Sequence, residues 1–478
     1  MMRQMLSEKG ASRSRIASGV AVVSIAARPF PCPHGRCIYC PGGGSTPQSY
    51  VERSPIVMRG SKLGYDPYLQ VIHRLQDFSR LGVHPSKVEL IVMGGTFNAQ
   101  PFDYQEWFVK RALDGMNSYM GPEISSRSLL EAQELNETSS VRCVAMTLET
   151  RPDLAMEDHV DRMLYLGFTR VELGVQSPFD DVLLAVGRGH TVGDVRRATR
   201  VLKDSAYKVG YHLMPGLPGS DLDRDLEALR LILEDPSFKP DMLKIYPTLV
   251  IPGTPLYEIW RRGEYAGITD EEFKEYLMKA IPMLPRWMRL QHVQRDIPEE
   301  FIASGPRRRN LRQMVEEALV SRGVKVNEMR FREVGRVSHR GMEPDYDSVR
   351  MEVIEYEASG GTEFFLSLVD RNDVLMAILR LRDPSPLAHR WEVDGRTSLI
   401  RELHVYGHMV PIGERPGLQA QHRGYGTMLV REAERISLEE IGARRILVIS
   451  GIGARDYFRK LGYGRITGSF YLGKELSS

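Results

Sequence analysis

Short apolar runs alternate with amphipathic stretches between about residues 86 and 300. The apolar runs predict β-strands at residues 87–93, 141–148, 170–175, 208–214 and 242–247. The amphipathic stretches predict helices at residues 103–116, 157–166, 192–205 and 221–234. Strands that alternate with helices of this length favour a parallel sheet with crossover helices. The pattern therefore predicts an α/β fold, with a (β/α) barrel or part of one, whose chemistry would lie at the carboxyl ends of the strands.

The pattern changes after a basic segment at residues 305–334, which predicts a helical linker. Closely spaced strands at residues 350–358, 363–369 and 374–382 favour an antiparallel meander. A strand at 400–405, a loop rich in Gly and Pro, a helix at 424–441, a strand at 445–449 and a short helix at 454–461 follow. We therefore predict a first α/β domain over residues 1–304, a linker over 305–335 and a second α/β domain over 336–478.

Composition changes this picture little. The 478 residues are 42% hydrophobic and 26% charged, which is typical of a soluble globular protein. No apolar run is long enough to span a bilayer, and the first 14 residues lack a secretory core. A cytoplasmic protein without a membrane partner is therefore expected.

The net charge is only +2, but basic residues are concentrated in two segments. Residues 1–60 hold eight Lys and Arg against two acidic residues. The second segment contains Arg307, Arg308, Arg309, Arg312, Arg322, Lys325, Arg330, Arg332, Arg336 and Arg340. Such clusters suit a phosphate backbone, although arginines that merely solvate a linker helix would give the same pattern.

Three of the four cysteines, Cys32, Cys37 and Cys40, fall within nine positions. A 4Fe–4S cluster usually takes four cysteine ligands, so three would leave one iron open for S-adenosylmethionine and its one-electron cleavage. Zinc held by the same cysteines and His34 is the rival interpretation, although four ligands would be cramped on so short a loop. The fourth cysteine, Cys143, lies in a predicted strand and is expected to be a buried, inert thiol.

Two glycine motifs are candidates for ligand contacts. Gly94, Gly95 and Thr96 end the first strand after the cysteine loop, where glycines let a backbone approach a ligand closely. The second motif is Q-x-x-G-x-G, residues 421–426, at the start of a predicted helix. Unpaired N–H groups at a helix N-terminus favour a pyrophosphate, and this pattern is the acetyl-CoA signature of GNAT acetyltransferases. The strand at 403–405 would pair with the pantetheine arm.

The order of these segments resembles the catalytic subunit of Elongator in its single-chain archaeal or bacterial form. The resemblance extends from about residue 18 to residue 472. The segments that carry it are 32–43 (CPHGRCIYCPGG), 93–97 (MGGTF), 149–153 (ETRPD), 172–177 (ELGVQS), 188–191 (RGHT), 214–219 (MPGLPG), 244–249 (KIYPTL), 332–335 (REVG) and 401–407 (RELHVYG).

The resemblance implies a partial (β/α) barrel of the radical SAM type followed by a GNAT-type acetyltransferase domain. It also implies an acyltransferase that uses a 4Fe–4S cluster, S-adenosylmethionine and acetyl-CoA to form 5-carboxymethyluridine at the wobble uridine of tRNA. In that scheme a radical takes hydrogen from the acetyl methyl group, and the resulting carbon radical adds to the uracil. The implied partner is the tRNA anticodon stem-loop; a homodimer is left open and no accessory Elongator subunit is required.

The resemblance also assigns roles to residues. It places Gly94, Gly95 and Thr96 at S-adenosylmethionine, and Lys87, Tyr457 and Phe458 in catalysis. The expected acetyl-CoA contacts are Lys87, Glu402, Leu403, His404, Val405, Gln421, Gly424, Tyr425, Gly426, Thr427 and Phe458. Without the resemblance, Lys87 would be interpreted as a solvent-exposed lysine and His404 as an ordinary strand residue.

The chain departs from the family pattern in three places. Relatives have two tyrosines before Arg-Lys-x-Gly. Phe458 replaces the second and Tyr457 lies one position off, so the aromatic contact with the coenzyme carries over but proton donation to a leaving thiolate does not. Val326 replaces a cysteine of many relatives, so no second metal is expected. The N-terminal basic arm is shorter than in relatives, so tRNA affinity would rest on the two basic segments.

Three other functions fit parts of the sequence. One is a protein lysine acetyltransferase with a structural cluster, although the loop at residues 408–416 offers only Glu414 to a basic substrate. A second is a tRNA-stimulated acetyl-CoA hydrolase or scaffold, in which the three cysteines would be unnecessary. A third is a radical methylthiotransferase, which would leave the motif at residues 421–426 without a role.

Overall fold

The computed structural model describes residues 19–407 and 424–477. Its first sheet has seven parallel strands in chain order. They are β1 (Ala21–Ala26), β2 (Lys87–Met93), β3 (Arg142–Thr150), β4 (Arg170–Gln176), β5 (Lys208–Leu213), β6 (Met242–Ile245) and β7 (Arg289–His292). Because β1 and β7 form the two edges, the sheet is an open half-barrel.

The helices that connect these strands bury their apolar faces against the sheet. They are α1 (Pro55–Lys62), α2 (Pro67–Arg80), α3 (Phe102–Ser118), α4 (Leu129–Asn136), α5 (Glu157–Leu166), α6 (Asp180–Ala185), α7 (Val192–Asp204), α8 (Leu222–Glu234), α9 (Pro255–Arg261) and α10 (Asp270–Met283). Capping boxes start two of them, with Thr191 and Asp194 at α7 and Thr269 and Glu272 at α10. The five strands expected here all form, whereas β1 and β7 were not predicted.

The second sheet follows the segment predicted as a linker. Its strands are β8 (Arg350–Ala358), β9 (Gly361–Val369), β10 (Leu375–Asp383), β11 (Thr397–Val405), β12 (Arg445–Val448), β13 (Gly464–Arg465) and β14 (Leu472–Glu475), in the order β13-β14-β12-β11-β10-β9-β8. The expected meander β8–β10 is antiparallel. Strand β11 extends it antiparallel to β10 and pairs in parallel with β12. Helices α14 (Tyr425–Glu439) and α15 (Arg455–Lys460) complete this part. The predicted fold class is therefore confirmed.

The segment between the sheets holds α11 (Leu311–Ser321), α12 (Met329–Arg332) and α13 (Val334–His339). Helix α11 buries Leu311, Val315 and Leu319, so this segment packs against the half-barrel. Two of its arginines are used internally, because Arg312 pairs with Glu328 at 2.6 Å and the buried Arg332 pairs with Asp373 at 2.9 Å. Neither arginine is a freely solvated member of the basic cluster predicted from the sequence.

The two sheets are joined through buried charges as well as a shared apolar core. Arg401 of β11 binds Asp241, which precedes β6, with a shortest contact of 2.7 Å. Arg382 of β10 binds Asp204 at the end of α7, also at 2.7 Å. Breaking such buried pairs is costly, so they hold the second sheet against the amino ends of the first-sheet strands. None of the helices in 19–407 and 424–477 combines the length and apolar character that a membrane span requires.

Candidate functional site

The cysteine loop follows β1 and lies over the carboxyl ends of the half-barrel strands. Backbone bonds fix it there, because Ile38 N donates to Val186 O at 3.1 Å and Leu256 N donates to Ile38 O at 2.9 Å. Cys37 and Cys40 are buried and Cys32 is half-buried. The loop therefore presents its three thiols on one rigid segment at the end of the barrel where the rule for such folds places chemistry.

The spacing of the cysteine sulfurs distinguishes the two metal hypotheses. One zinc ion bound at about 2.3 Å to each thiolate would bring the sulfurs to within about 4 Å of one another. Among the described residues, the only set of three His, Cys, Asp or Glu ligand atoms within 4.8 Å of one another is Glu149, Glu172 and His212. At least one pair of the three cysteine sulfurs therefore lies more than 4.8 Å apart, which suits a cluster with one iron per thiolate better than a single zinc ion.

His34 is held as a neutral partner of the loop. Its Nε2 lies 3.2 Å from Cys37 Sγ. Burial lowers the pKa of His34 to about 4, and the charges of Arg151 and Arg188 act in the same direction. The imidazole therefore remains uncharged at neutral pH.

Arg188 is a functional candidate to which the sequence assigned no role. Its Nη1 lies 3.7 Å from Cys37 Sγ, and Gly174 O accepts from its Nη2 at 2.6 Å. A Cβ on Gly174 would lie 2.4 Å from Nη2, so only glycine admits the guanidinium here. The buried cation offsets thiolate charge beside the cysteine loop.

The first glycine motif lies against the same loop. Thr96 Oγ1 is 3.4 Å from Cys32 Sγ. Gly95 has φ +77°, and a Cβ there would lie 2.9 Å from Gln48 O, so the turn requires glycine. Both residues line a cavity of about 120 Å³ with the three cysteines. The donor set and this backbone cradle fit a cluster with S-adenosylmethionine.

The Glu149, Glu172 and His212 group in the wall of this cavity already has a cation. Lys244 forms an ion pair with Glu172 and lies 3.5 Å from Glu149. Burial alone would lower the pKa of Lys244, but the combined interactions with Glu172, Tyr246 and Glu149 outweigh burial and raise it. Since the ammonium takes the position of a metal, we assign no metal to this group.

A larger cavity of about 510 Å³ lies between the two sheets, at the opposite end of the half-barrel. It brings together most of the residues expected at acetyl-CoA: Lys87, Glu402, Leu403, His404, Val405, Gly424, Tyr425, Gly426, Thr427, Tyr457 and Phe458. Gln421 lies outside the described residues. Burial lowers the pKa of Lys87. The Glu402 carboxylate already has two protein partners, because it pairs with Lys208 and accepts from Arg380 Nε at 2.8 Å.

The N-terminus of α14 opens into this cavity. Gly424 precedes it with φ 82°, and a Cβ on Gly426 would lie 2.6 Å from the Tyr457 hydroxyl. Tyr457 is 37% exposed, whereas Phe458 is 5% exposed and packs edge-on against Tyr463 at 5.5 Å. Tyr457 therefore brings the phenol next to the helix terminus, and Phe458 forms an aromatic wall.

Family models match the first part of the chain, and known relatives match nearly all of it. The radical SAM superfamily model matches residues 30–232, and the radical SAM C-terminal domain model matches residues 240–321. A tRNA uridine(34) acetyltransferase of Methanocaldococcus jannaschii is 49% identical, over 97% of this chain and 85% of that protein. Elongator complex protein 3 of Homo sapiens is 42% identical, over 95% of this chain and 84% of the human protein.

The chain belongs to the Elongator complex protein 3 family. The structure of the archaeal Methanocaldococcus infernus Elp3 with an N-terminal deletion superposes with a TM-score of 0.85 at 45% identity. That match covers 96% of this chain and all of the solved one. The resemblance inferred from the sequence motifs is confirmed.

In this member of the Elongator complex protein 3 family a third cavity of about 270 Å³ lies beside the cysteine end. Arg295, Asp296 and Ile297 line both this cavity and the one at the cysteines. Further arginines in its wall are Arg307, Arg309, Arg312 and Arg330. Burial and the neighbouring arginines lower the pKa of Arg330. Such crowding of like charge favours a bound anion.

Proposed function

We propose that this Elongator complex protein 3 relative forms 5-carboxymethyluridine at the wobble uridine of tRNA, using a 4Fe–4S cluster, S-adenosylmethionine and acetyl-CoA. The observation that carries the proposal is one half-barrel with a three-cysteine cavity at one end and a cavity with a helix N-terminus at the other. A radical methylthiotransferase would not need the second cavity. The printed name of the Methanocaldococcus jannaschii relative, tRNA uridine(34) acetyltransferase, supports the choice of substrate.

At the cysteine end, Cys32, Cys37 and Cys40 would hold the cluster, and Gly95 and Thr96 would contact S-adenosylmethionine. Together these groups supply the one-electron chemistry that an unactivated methyl C–H bond requires. The protein contributes fixed thiols, the charge of Arg188 beside Cys37, and a small cavity that limits access of water.

At the other end, the N-terminus of α14 would bind the pyrophosphate of coenzyme A through its backbone N–H groups. Lys87 would add a cation, and β11 would pair with the pantetheine arm. Tyr457, whose phenol lines the same cavity, would donate a proton to the departing thiolate. Phe458 would contact the arm with its ring only.

The third cavity supports RNA as the partner. Its arginines adjoin the cysteine end, where a base would have to enter, and RNA loops present unstacked bases to such pockets. We expect Arg307, Arg309 and Arg330 to bind phosphates that flank the wobble position. We also predict that the protein acts without accessory subunits and is cytoplasmic. The prediction of a homodimer stays open.

The test is anaerobic reconstitution with iron and sulfide, then incubation with tRNA, S-adenosylmethionine, acetyl-CoA and a reductant. Mass spectrometry of the digested nucleosides should show carboxymethyluridine from the wild type. A protein substrate added in parallel tests lysine acetylation. Acetylated lysines without modified uridine would contradict the proposal, as would coenzyme A release without any change in the tRNA.

A further inference from the structure

Charged side chains lie in the interior of the half-barrel, between its two ends. Residues two apart in a strand share a face, so Arg170 and Glu172 of β4 point into the interior together. Arg170 Nη1 lies 2.5 Å from Glu89 Oε1 of β2, and Arg170 Nη2 lies 3.3 Å from Glu172 Oε1. The side chains of Arg170 and Glu172 are 5% and 1% exposed. This set of Glu89, Arg170 and Glu172 is here called the ion-pair layer.

The ion-pair layer is the boundary between the two cavities. Glu89 and Arg170 line the acetyl-CoA cavity, whereas Glu172 lines the cysteine cavity. On β2 the nearest lining residues of the two cavities are Glu89 and Met93, which are four strand steps or roughly 13 Å apart. On β4 they are two steps apart, roughly 7 Å. Only the ion-pair layer separates the cavities there.

The proposed reaction requires this boundary to be approached from both sides. Transfer of a hydrogen atom needs the reacting atoms at about 3–3.5 Å, so a methyl group held at the far end of the barrel is out of reach. The interior is the direct route between the cavities. A coenzyme anchored at the N-terminus of α14 could direct its thioester end into that route.

Arg170 has a donor for such a group. Its Nε is buried and has no hydrogen-bond partner among residues 19–407 and 424–477. A buried donor without a partner is costly, so a carbonyl oxygen that accepts from it would bind favourably. Two carboxylates fix the guanidinium, and they leave Nε free to donate to a carbonyl oxygen.

We propose that the half-barrel interior is the binding site for the acyl-thioester end of the coenzyme, and that Arg170 binds its carbonyl oxygen at the ion-pair layer. The inference rests on the proposed function for its choice of ligand. Arg170 acts as a binding residue that presents the acyl methyl group to the cysteine cavity.

The direct test is photolabelling of the full-length protein with a coenzyme A thioester of a short diazirine-bearing acyl group. After irradiation with and without tRNA, peptide mass spectrometry locates the adducts. Thr147 of β3 belongs to the same region, because its hydroxyl donates to Glu89 Oε1 at 3.2 Å. The inference predicts adducts on the segments that contain Glu89, Thr147 or Glu172, and their loss when excess acetyl-CoA competes. Adducts confined to the segments around Tyr457 and Leu403 under both conditions would overturn it.

An Arg170→Met variant tests the carbonyl contact. Coenzyme A lacking an acyl group should bind with unchanged affinity, because its anchor at α14 is intact. Acetyl-CoA turnover should fall about 10- to 100-fold, the range of one hydrogen bond to a charged group. Arg170→Lys, which keeps a cation between the carboxylates, should recover part of the loss. Equal loss of affinity for coenzyme A and acetyl-CoA in Arg170→Met would contradict the carbonyl contact. Full acetyl-CoA turnover in this variant would also contradict it.

Arg332→Met is the matched control, because Arg332 is a similarly buried, ion-paired arginine that lines none of the three cavities. It should lose thermal stability as Arg170→Met does, but keep wild-type turnover of the remaining folded protein. The photolabelling result does not depend on the chemical step. If wild-type protein modifies no uridine, the proposed function fails, and the position of the adducts still decides the inference.

Discussion

The two ends of the half-barrel differ in how their sites are assembled. The cysteine end takes its thiols from one short loop after β1, fixed by backbone bonds and by Arg188. The coenzyme end combines Lys87 of β2, residues of β11, the N-terminus of α14 and Tyr457 of α15. One site is therefore local in sequence, whereas the other exists only because buried pairs such as Arg401 with Asp241 hold two sheets together.

This difference predicts that the two ends can be disabled separately. Loss of a thiol should abolish radical chemistry without affecting coenzyme binding. Changes at α14 or α15 should impair coenzyme binding or turnover while cleavage of S-adenosylmethionine continues. Only changes at the boundary formed by Arg170 should impair the radical chemistry and the turnover of the coenzyme together.

The largest effect is expected from Cys37→Ser. Since three thiols are the minimum for a cluster with an open iron, the variant should form neither 5′-deoxyadenosine nor modified uridine. Acetyl-CoA affinity, measured by calorimetry, should match the wild type. Cys143→Ser is the matched control, because Cys143 is buried in β3 and lines none of the three cavities. Retained activity in Cys37→Ser would remove the cluster from the mechanism.

Tyr457→Phe should have the next largest effect. Removing the hydroxyl leaves the ring and the space of the cavity, so coenzyme affinity should change little. Proton donation to a leaving group accelerates its departure by about 100-fold or more. The rate of coenzyme A release in the complete reaction with tRNA should therefore fall by at least about that factor. Adding Phe458→Tyr to the Tyr457→Phe variant serves as the comparison. The second hydroxyl should not restore the rate, because Phe458 is buried against Tyr463. An unchanged rate in Tyr457→Phe would assign the proton to another group.

Gly426→Val should weaken acetyl-CoA binding by roughly tenfold. A side chain here would displace the Tyr457 hydroxyl, 2.6 Å from the added Cβ, and cover the helix N-terminus. Calorimetric titration measures the affinity, and anaerobic 5′-deoxyadenosine formation should stay at the wild-type rate. Gly395→Ala, where a Cβ would meet nothing within 4 Å, is the control. Wild-type affinity in Gly426→Val would place the pyrophosphate elsewhere.

The smallest effect is expected from Arg309→Ala in the third cavity. One phosphate contact should be lost, so tRNA affinity should fall a few-fold and the slope of log affinity against log salt should decrease by about one unit. Filter binding at several salt concentrations gives both quantities. Arg396→Ala, in the turn before β11 and away from all three cavities, is the control. An unchanged slope in Arg309→Ala would show that the RNA phosphates do not bind in this cavity.

Sequence patterns predicted the strands of the first sheet where long apolar runs form them, such as β2 and β4. They missed β1, although its sequence AVVSIA is apolar, because it lies well before the alternating region at residues 86–300. They missed β7 because its four residues, RLQH, include one apolar side chain, so pairing with β6 fixes this strand rather than its own pattern. The two-sheet fold class was nevertheless predictable, because the change from alternating strands and helices to closely spaced strands is visible in the chain.

The candidate sites were predictable where their residues are contiguous. Cys32, Cys37 and Cys40 share one loop, and the glycines at residues 424–426 share one helix start. Arg188 and Arg170 were not assigned, because their partners Cys37 and Glu89 are distant in sequence and come close only in the folded half-barrel. One signal was available for Arg170: charges two apart in an otherwise apolar strand, as in Arg170 and Glu172, indicate a polar barrel interior.

The central claim is that both ends of the half-barrel act on one acetyl group. Its most direct test uses acetyl-CoA deuterated on the methyl group, with reconstituted protein, S-adenosylmethionine, reductant and tRNA under anaerobic conditions. The account predicts one deuterium in 5′-deoxyadenosine and two in the carboxymethyl group of the modified uridine. Modified uridine accompanied by 5′-deoxyadenosine without deuterium would contradict it.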